Sequence, residues 1–272
     1  MFDVHVHTAP DVVPRLADDA ATVDRYEQAG FRGCVLKGHV DATASRAAVV
    51  GAGRGLAVYG GVALNRWVGG LNPAAVAACL ALGGRVIWLP TVDAATHVAA
   101  GLPRPQVGVA PAGYGVPPVD PGAEGAVGEI LTLVAEADAV LATGHLSGPE
   151  LSWLVPRCRT AGVRRVLLTH PSWTVPGLGS AEVRALTDLG ALAEVTAYQL
   201  LHQPGWDAAR LAGFVRAVGI RRCVLSSDAG QVGSPPPPEA LAGLVEALAG
   251  EGLDRGALRA AASEVPEALV TP

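Results

Sequence analysis

Lysine is almost missing from this sequence: of 20 Lys and Arg residues, Lys37 is the one lysine. Cations are also outnumbered, since 25 Asp and Glu residues set the formal net charge at −5. That balance excludes a strongly basic nucleic-acid binder, which needs surplus cations facing phosphate. Cysteine is scarce. Cys34, Cys79, Cys158 and Cys223 lie far apart and form no CxxC pair. A disulfide framework or a thiolate zinc site is therefore not expected, and the four read as small buried hydrophobes in a reducing cytoplasm. Charged residues are 17% against 50% hydrophobic, which excludes a disordered chain. Long apolar runs are missing too, although the mean hydropathy is +0.35. The longest, 74–84, has eleven residues, against the roughly 20 a membrane-spanning helix needs. His5 and His7 interrupt the early apolar run, so no signal peptide is expected. The expectation is a cytoplasmic protein with no membrane and no nucleic-acid partner.

What is present is an alternation. Short apolar runs at 2–7, 32–37, 57–64, 85–89, 139–143, 164–170, 191–196 and 222–227 read as buried parallel strands. Helical patterns fill the gaps, at 18–30, from Thr43, and at 73–82, 126–137, 148–161, 180–189, 207–218 and 238–248. Ser180, Asp207 and Pro238 supply start signals, and Gly30, Gly83, Gly162, Gly190 and Gly219 supply stops. Eight strands alternating with helices predict an α/β fold, a (β/α)₈ TIM barrel formed as one domain by residues 1–272. A doubly wound open sheet is the rival. The spacing favours the barrel, because all but one interval between strand ends is near one βα unit of about 30 residues. The outlier follows strand four. There 91–121 is rich in Pro, with Pro103, Pro105, Pro111, Pro117, Pro118 and Pro121. It reads as a long irregular loop or small hairpin that acts as a lid.

In such a barrel chemistry sits at the C-terminal strand ends. His5 and His7 end strand one, Lys37 ends strand two with His39 beyond it, and His145 follows strand five. His170 ends strand six and Asp228 ends strand eight. Only His97 and His202, of seven histidines, lie elsewhere. The spacing of His5 and His7 puts both imidazoles on one face of a strand. With His145, His170 and Asp228 they supply ligand types for zinc or a related divalent ion.

These residues carry a resemblance. Val4-His5-Val6-His7, Thr143-Gly144-His145, Leu168-Thr169-His170-Pro171 and Ser226-Ser227-Asp228-Ala229 resemble the amidohydrolase superfamily, whose metal signature is HxH, His, His and Asp on strands one, five, six and eight. The terminal 262–269 is similar to the helix that often closes these barrels. The resemblance covers most of the chain. It implies one or two divalent metal ions, zinc foremost with Mn, Fe or Co as alternatives, held by His5, His7, His145, His170 and Asp228. There is one departure. Binuclear members bridge their metals with a carboxylated Lys or a Glu on strand four, and here Val86-Ile87-Trp88-Leu89-Pro90-Thr91 has neither. Asp93, slightly beyond, is a further candidate.

Chemistry gives the single lysine a reason to persist. A neutral amine adds carbon dioxide to become a carbamate, an anionic ligand that can bridge two cations, and Arg stays protonated and cannot. Nearby divalent ions would lower the Lys pKa. A plain ammonium gripping a substrate anion and a buried ion pair are the other two roles. His39 is a substrate contact, a support for the ligands, or itself a ligand if Lys37 is not. Arg15, Asn65, Arg66, Trp173 and Tyr198 sit after strand ends as candidate substrate contacts. Together these point to a metal-dependent hydrolase of the amidohydrolase type. It would act on a small-molecule amide, cyclic amide, lactone or ester, with Asp228 accepting a proton from water. A mononuclear decarboxylase of the same superfamily and a barrel that only binds a small molecule are the alternatives. Self-association into a homo-oligomer stays open.

Overall fold

The computed structural model describes residues 1–108, 110 and 113–272; Pro111 of the Pro-rich loop lies outside the described residues. The strands are β1 Phe2–His7, β2 Gly33–Lys37, β3 Ala57–Tyr59, β4 Gly61–Ala63, β5 Val86–Trp88, β6 Val140–Ala142, β7 Arg165–Leu168, β8 Leu192–Thr196 and β9 Cys223–Ser226. The helices are α1 Asp19–Gln28, α2 Ala44–Gly51, α3 Pro73–Ala81, α4 Ala95–Ala99, α5 Glu124–Glu136 and α6 Gly148–Thr160, then α7 Ser180–Asp188, α8 Ala197–His202, α9 Ala208–Val218, α10 Pro237–Gly250, α11 Arg255–Ala261 and α12 Glu264–Val270.

All strand pairings are parallel, in the orders β1-β2-β3 and β4-β5-β6-β7-β8-β9. The third strand of the ring is broken into β3 and β4 at Gly60. A side chain there would meet the Thr43 backbone at 2.5 Å, so only glycine allows that approach. The ring closes at a seam between β1 and the chain after β9. The Asp228 N–H donates to the His5 carbonyl at 2.9 Å and the His7 N–H to the Ala229 carbonyl at 2.8 Å. Asp3 reinforces the seam, accepting from the Ser227 N–H (3.0 Å) and the Tyr26 hydroxyl (2.6 Å). The expected (β/α)₈ barrel is therefore the observed fold.

Two apolar clusters follow from strand alternation. One packs the outward strand residues, among them Leu36, Ile87, Leu141 and Leu168, against the helices. The other, with Phe2, Val35, Val86, Trp88, Val140 and Leu167, fills the barrel interior and includes Leu269 and Val270 of α12. Thus α12 plugs the end opposite the site. Arg85 donates to the Val270 carbonyl, and Arg165 donates to the carbonyls of Ala268, Leu269 and Thr271, holding the plug in place. The four cysteines are buried thiols. No helix among the described residues is long and apolar enough to cross a membrane.

The connection after β5 is not a hairpin. It contains the short helix α4, and Ala94 pairs with Tyr114 in parallel orientation. Additional short helices, α8 and α11, also escape the hydrophobic pattern because each is under two turns.

Candidate metal centre

The centre is built at the barrel mouth from the tip of β1 outward. A register shift between Asp3 and Val6 turns β1 from Phe2 and Val4, which line the barrel interior, to His5 and His7 above them. His5 Nδ1 lies 3.0 Å from Oε1 of Glu194 on β8, and its Nε2 lies 3.0 Å from Asp228 Oδ1. His7 Nε2 is 3.3 Å from the same oxygen. Lys37 Nζ is 2.9 Å from His5 Nε2. His5, His7 and Asp228 form the one group of three ligand atoms within 4.8 Å of one another among the described residues.

The backbone makes room for this crowding. Gly144 turns with φ 59°, and a Cβ there would strike the Leu89 carbonyl, so glycine delivers His145. His170 (φ 25°) and Asp228 (φ 48°) take left-handed conformations that cost non-glycine residues energy. Hydrogen bonds hold them there, from His170 N–H to Glu194 Oε2 at 3.1 Å and from Asp228 N–H to His5.

Electrostatics follow from burial and from two carboxylates. Burial would lower the His5 pKa, but Asp228 and Glu194 outweigh it and bring it up to about 9. Burial would raise Asp228, but His5 and His7 hold its carboxyl well below the usual range. Burial keeps His7, His39 and His145 well below an ordinary histidine and His170 down to about 4. Burial also brings the Lys37 ammonium down to about 8.

These groups fit a divalent metal. Because Glu194 takes the Nδ1–H of His5, the Nε2 atom is the one facing Asp228. Two acceptor lone pairs 3.0 Å apart need a cation to hold them, whether a proton, the Lys37 ammonium 2.9 Å from Nε2, or a metal ion. His7 Nδ1 and His170 Nδ1 are buried with no hydrogen-bond partner among the described residues. His145 and His170 stand beside the cluster, with ring centroids 5.0 Å apart, and His170 is 6.0 Å from His5.

His97, placed by sequence outside the site, reaches into it. Its Nε2 faces the Pro103 carbonyl at 3.0 Å and its Nδ1 faces His145 Nδ1 at 2.9 Å. Since Nε2–H donates to the carbonyl, Nδ1 of His97 accepts from Nδ1–H of His145. The Nε2 of His145 is then left as the free lone pair. No strand-tip pattern could find His97, which lies on α4. Glu194 had a signal, being a lone acid in an apolar strand.

A cavity of about 250 Å³ opens above the centre, and Arg15, Lys37, His39, Trp173, Tyr198 and Asp228 are among its walls. Arg15 is paired with Asp11 at 2.7 Å. His39 stacks near His7, with ring centroids 4.8 Å apart, and bonds to Thr91 at 3.0 Å. Asn65 and Arg66, expected as substrate contacts, do not line it. The buried Asn65 amide donates to the His39 carbonyl and Thr91 hydroxyl, and accepts from the N–H groups of Thr91 and Asp93. Arg66 pairs with Asp93 and lies over Trp67. Asp93 therefore turns to Arg66 rather than to the centre. At the strand-four position Trp88 fills the barrel interior, and Lys37 Nζ lies 5.4 Å from its ring.

Among curated proteins none matches the chain. Solved structures share its architecture. A TatD homologue from Escherichia coli has a TM-score of 0.60 at 16% identity, covering 100% of this chain and 98% of that one. An organophosphorus hydrolase from Deinococcus radiodurans has 0.65 at 13%, covering 99% and 92%. A 2,6-dihydroxybenzoate decarboxylase from Rhizobium has 0.57 at 11%, covering 99% and 98%. These likenesses show a shared (β/α)₈ barrel fold. Residues 1–194 match the family described as "Family of unknown function (DUF6282)", so the chain, folded as a (β/α)₈ barrel, belongs to that family.

Proposed function

We propose that this chain is a metal-dependent hydrolase acting on a small-molecule amide, cyclic amide, lactone or ester. One observation carries the reading: His5 Nε2, His7 Nε2 and Asp228 Oδ1 converge at the barrel mouth beneath a cavity of small-molecule size. His5, His7 and Asp228 would hold one divalent ion, zinc foremost, with His145, His170 and Lys37 available for a second. Such an ion would lower the pKa of a water toward 7 and would polarise the scissile carbonyl. Asp228, kept ionised by His5 and His7, would accept the proton of the attacking water and pass it to the leaving group. Glu194 fixes the His5 ring so that Nε2 faces the centre. Lys37, brought to about 8 by burial, has an accessible neutral amine able to take up carbon dioxide.

A second reading, a mononuclear decarboxylase, is favoured by Trp88. It stands where binuclear relatives place a bridging ligand, and Lys37, on the cavity wall, would then meet a substrate anion as an ammonium. Metal content of wild type and Lys37→Ala, measured by plasma mass spectrometry, separates the two. About two ions per chain falling to one or none supports a bridging Lys37 and hydrolysis. About one ion in both supports the second reading. No metal in either, after growth with zinc and manganese, overturns both.

A further inference from the structure

Among the described residues, one cation on the cavity wall has a side chain without a partner. Lys37 contacts His5 and Arg15 is paired with Asp11. Arg104 lines the same cavity and is half-buried, and its guanidinium makes no hydrogen bond or ion pair among the described residues, although its backbone carbonyl accepts from the Gln106 amide. Most arginines elsewhere in the chain are paired, for example Arg46 with Asp19 and Asp41. A guanidinium drawn partly out of water without a counter-charge is unfavourable unless a ligand supplies one.

Its placement is fixed relative to the centre. Pro103 and Pro105 flank it and restrict the backbone. The Pro103 carbonyl accepts from His97, and His97 in turn accepts from His145. One chain of hydrogen bonds thus orients His145 and fixes the residue before Arg104. The remaining walls include Trp173, Tyr198 and Val92, which offer aromatic and aliphatic surface.

We propose that the substrate carries a carboxylate, separate from the group facing the metal centre, and that Arg104 grips it. The forked guanidinium matches the two oxygens of a carboxylate. A single guanidinium is poorly suited to a phosphate, which draws on several donors. The ligand is therefore a small monoanion with a short apolar or aromatic body. This rests on the metal-dependent reading above.

The test uses zinc-loaded protein and alkyl hydroxamates, which bind an accessible zinc, titrated by calorimetry. Each uncharged hydroxamate is compared with its counterpart ending in a carboxylate, over a series of chain lengths, and with the corresponding phosphonate. At the matching length the carboxylate should tighten binding roughly tenfold or more. That ratio should collapse toward one in Arg104→Met and be partly kept in Arg104→Lys. A ratio near one at every length, with the parent hydroxamate bound, overturns the Arg104 proposal alone. A ratio untouched by Arg104→Met, or a phosphonate favoured over the carboxylate, also overturns it. Failure to load zinc, or to bind any hydroxamate, overturns the metal-dependent reading and this proposal with it.

Discussion

Glu194 shows how much of the centre depends on one side chain outside the ligand set. Its two oxygens accept from His5 Nδ1, the Ser226 hydroxyl and the His170 N–H, and it is fully buried. Glu194→Ala would strand three buried donors and free the His5 ring. Metal affinity should fall about 10- to 100-fold, read by competition with a chelator. Stability of the metal-free protein should fall by about 3–5 kcal/mol, read by urea unfolding. An affinity within error of wild type would remove its positioning role. Glu194→Gln keeps the shape and should lie between. At this scale the sequence made His5, His7, His145, His170, Asp228 and Lys37 legible, because chemistry-bearing types at strand tips are out of place in apolar runs. It did not show that Asn65 is spent on three backbone groups and the Thr91 hydroxyl, since a residue after a strand end reads the same whether it faces cavity or loop.

At the scale of elements, Asn65 joins two connections. Its amide ties the tip of β4 to the segments after β2 and β5 through four hydrogen bonds. Asn65→Ala leaves several buried backbone groups unpaired and should cost roughly 3 kcal/mol in urea unfolding, with Asn65→Asp also destabilising because it cannot donate. A loss below about 0.5 kcal/mol would mean that the connections hold without it. The eight strands were legible from hydrophobic runs and their spacing, because a buried parallel strand is apolar on both faces. The break at Gly60 was not, since it arises from the approach of the Thr43 backbone, a tertiary event. The helix α4 inside the Pro-rich connection was also hidden: five residues give no period to read.

For the whole molecule, the collection of buried histidines sets the response to acid. The unfolded-state pKa is near 6.5. His7, His39, His145 and His170 all lie below it when folded, His170 at about 4. Between those limits the unfolded chain binds more protons, so stability falls as pH drops through 6.5. His170 alone accounts for about 3 kcal/mol of that loss. His5 acts oppositely: its contribution is full below 6.5 and is lost as pH rises toward about 9. Metal-free protein should therefore melt at a clearly lower temperature at pH 5 than at pH 7, as followed by circular dichroism. Equal melting temperatures would mean that these rings are not held neutral. The net charge of −5 foretold none of this, because it counts groups without their surroundings.

The seam where the ring closes has a consequence for how the fold yields. The Asp228 N–H meets the His5 carbonyl, and the side chains of the same two residues face each other across the candidate centre. An ion held there would act as a clasp between the first strand and the last, joining parts of the chain more than 200 residues apart. Chelation should then speed amide hydrogen exchange first along His5, His7 and Asp228, while β5 to β7 stay protected. Uniform acceleration across all strands would mean that the clasp carries no special share. If the seam opens first, the mouth of the barrel is also its latch, and losing the ion loosens the joint on which the enclosure depends.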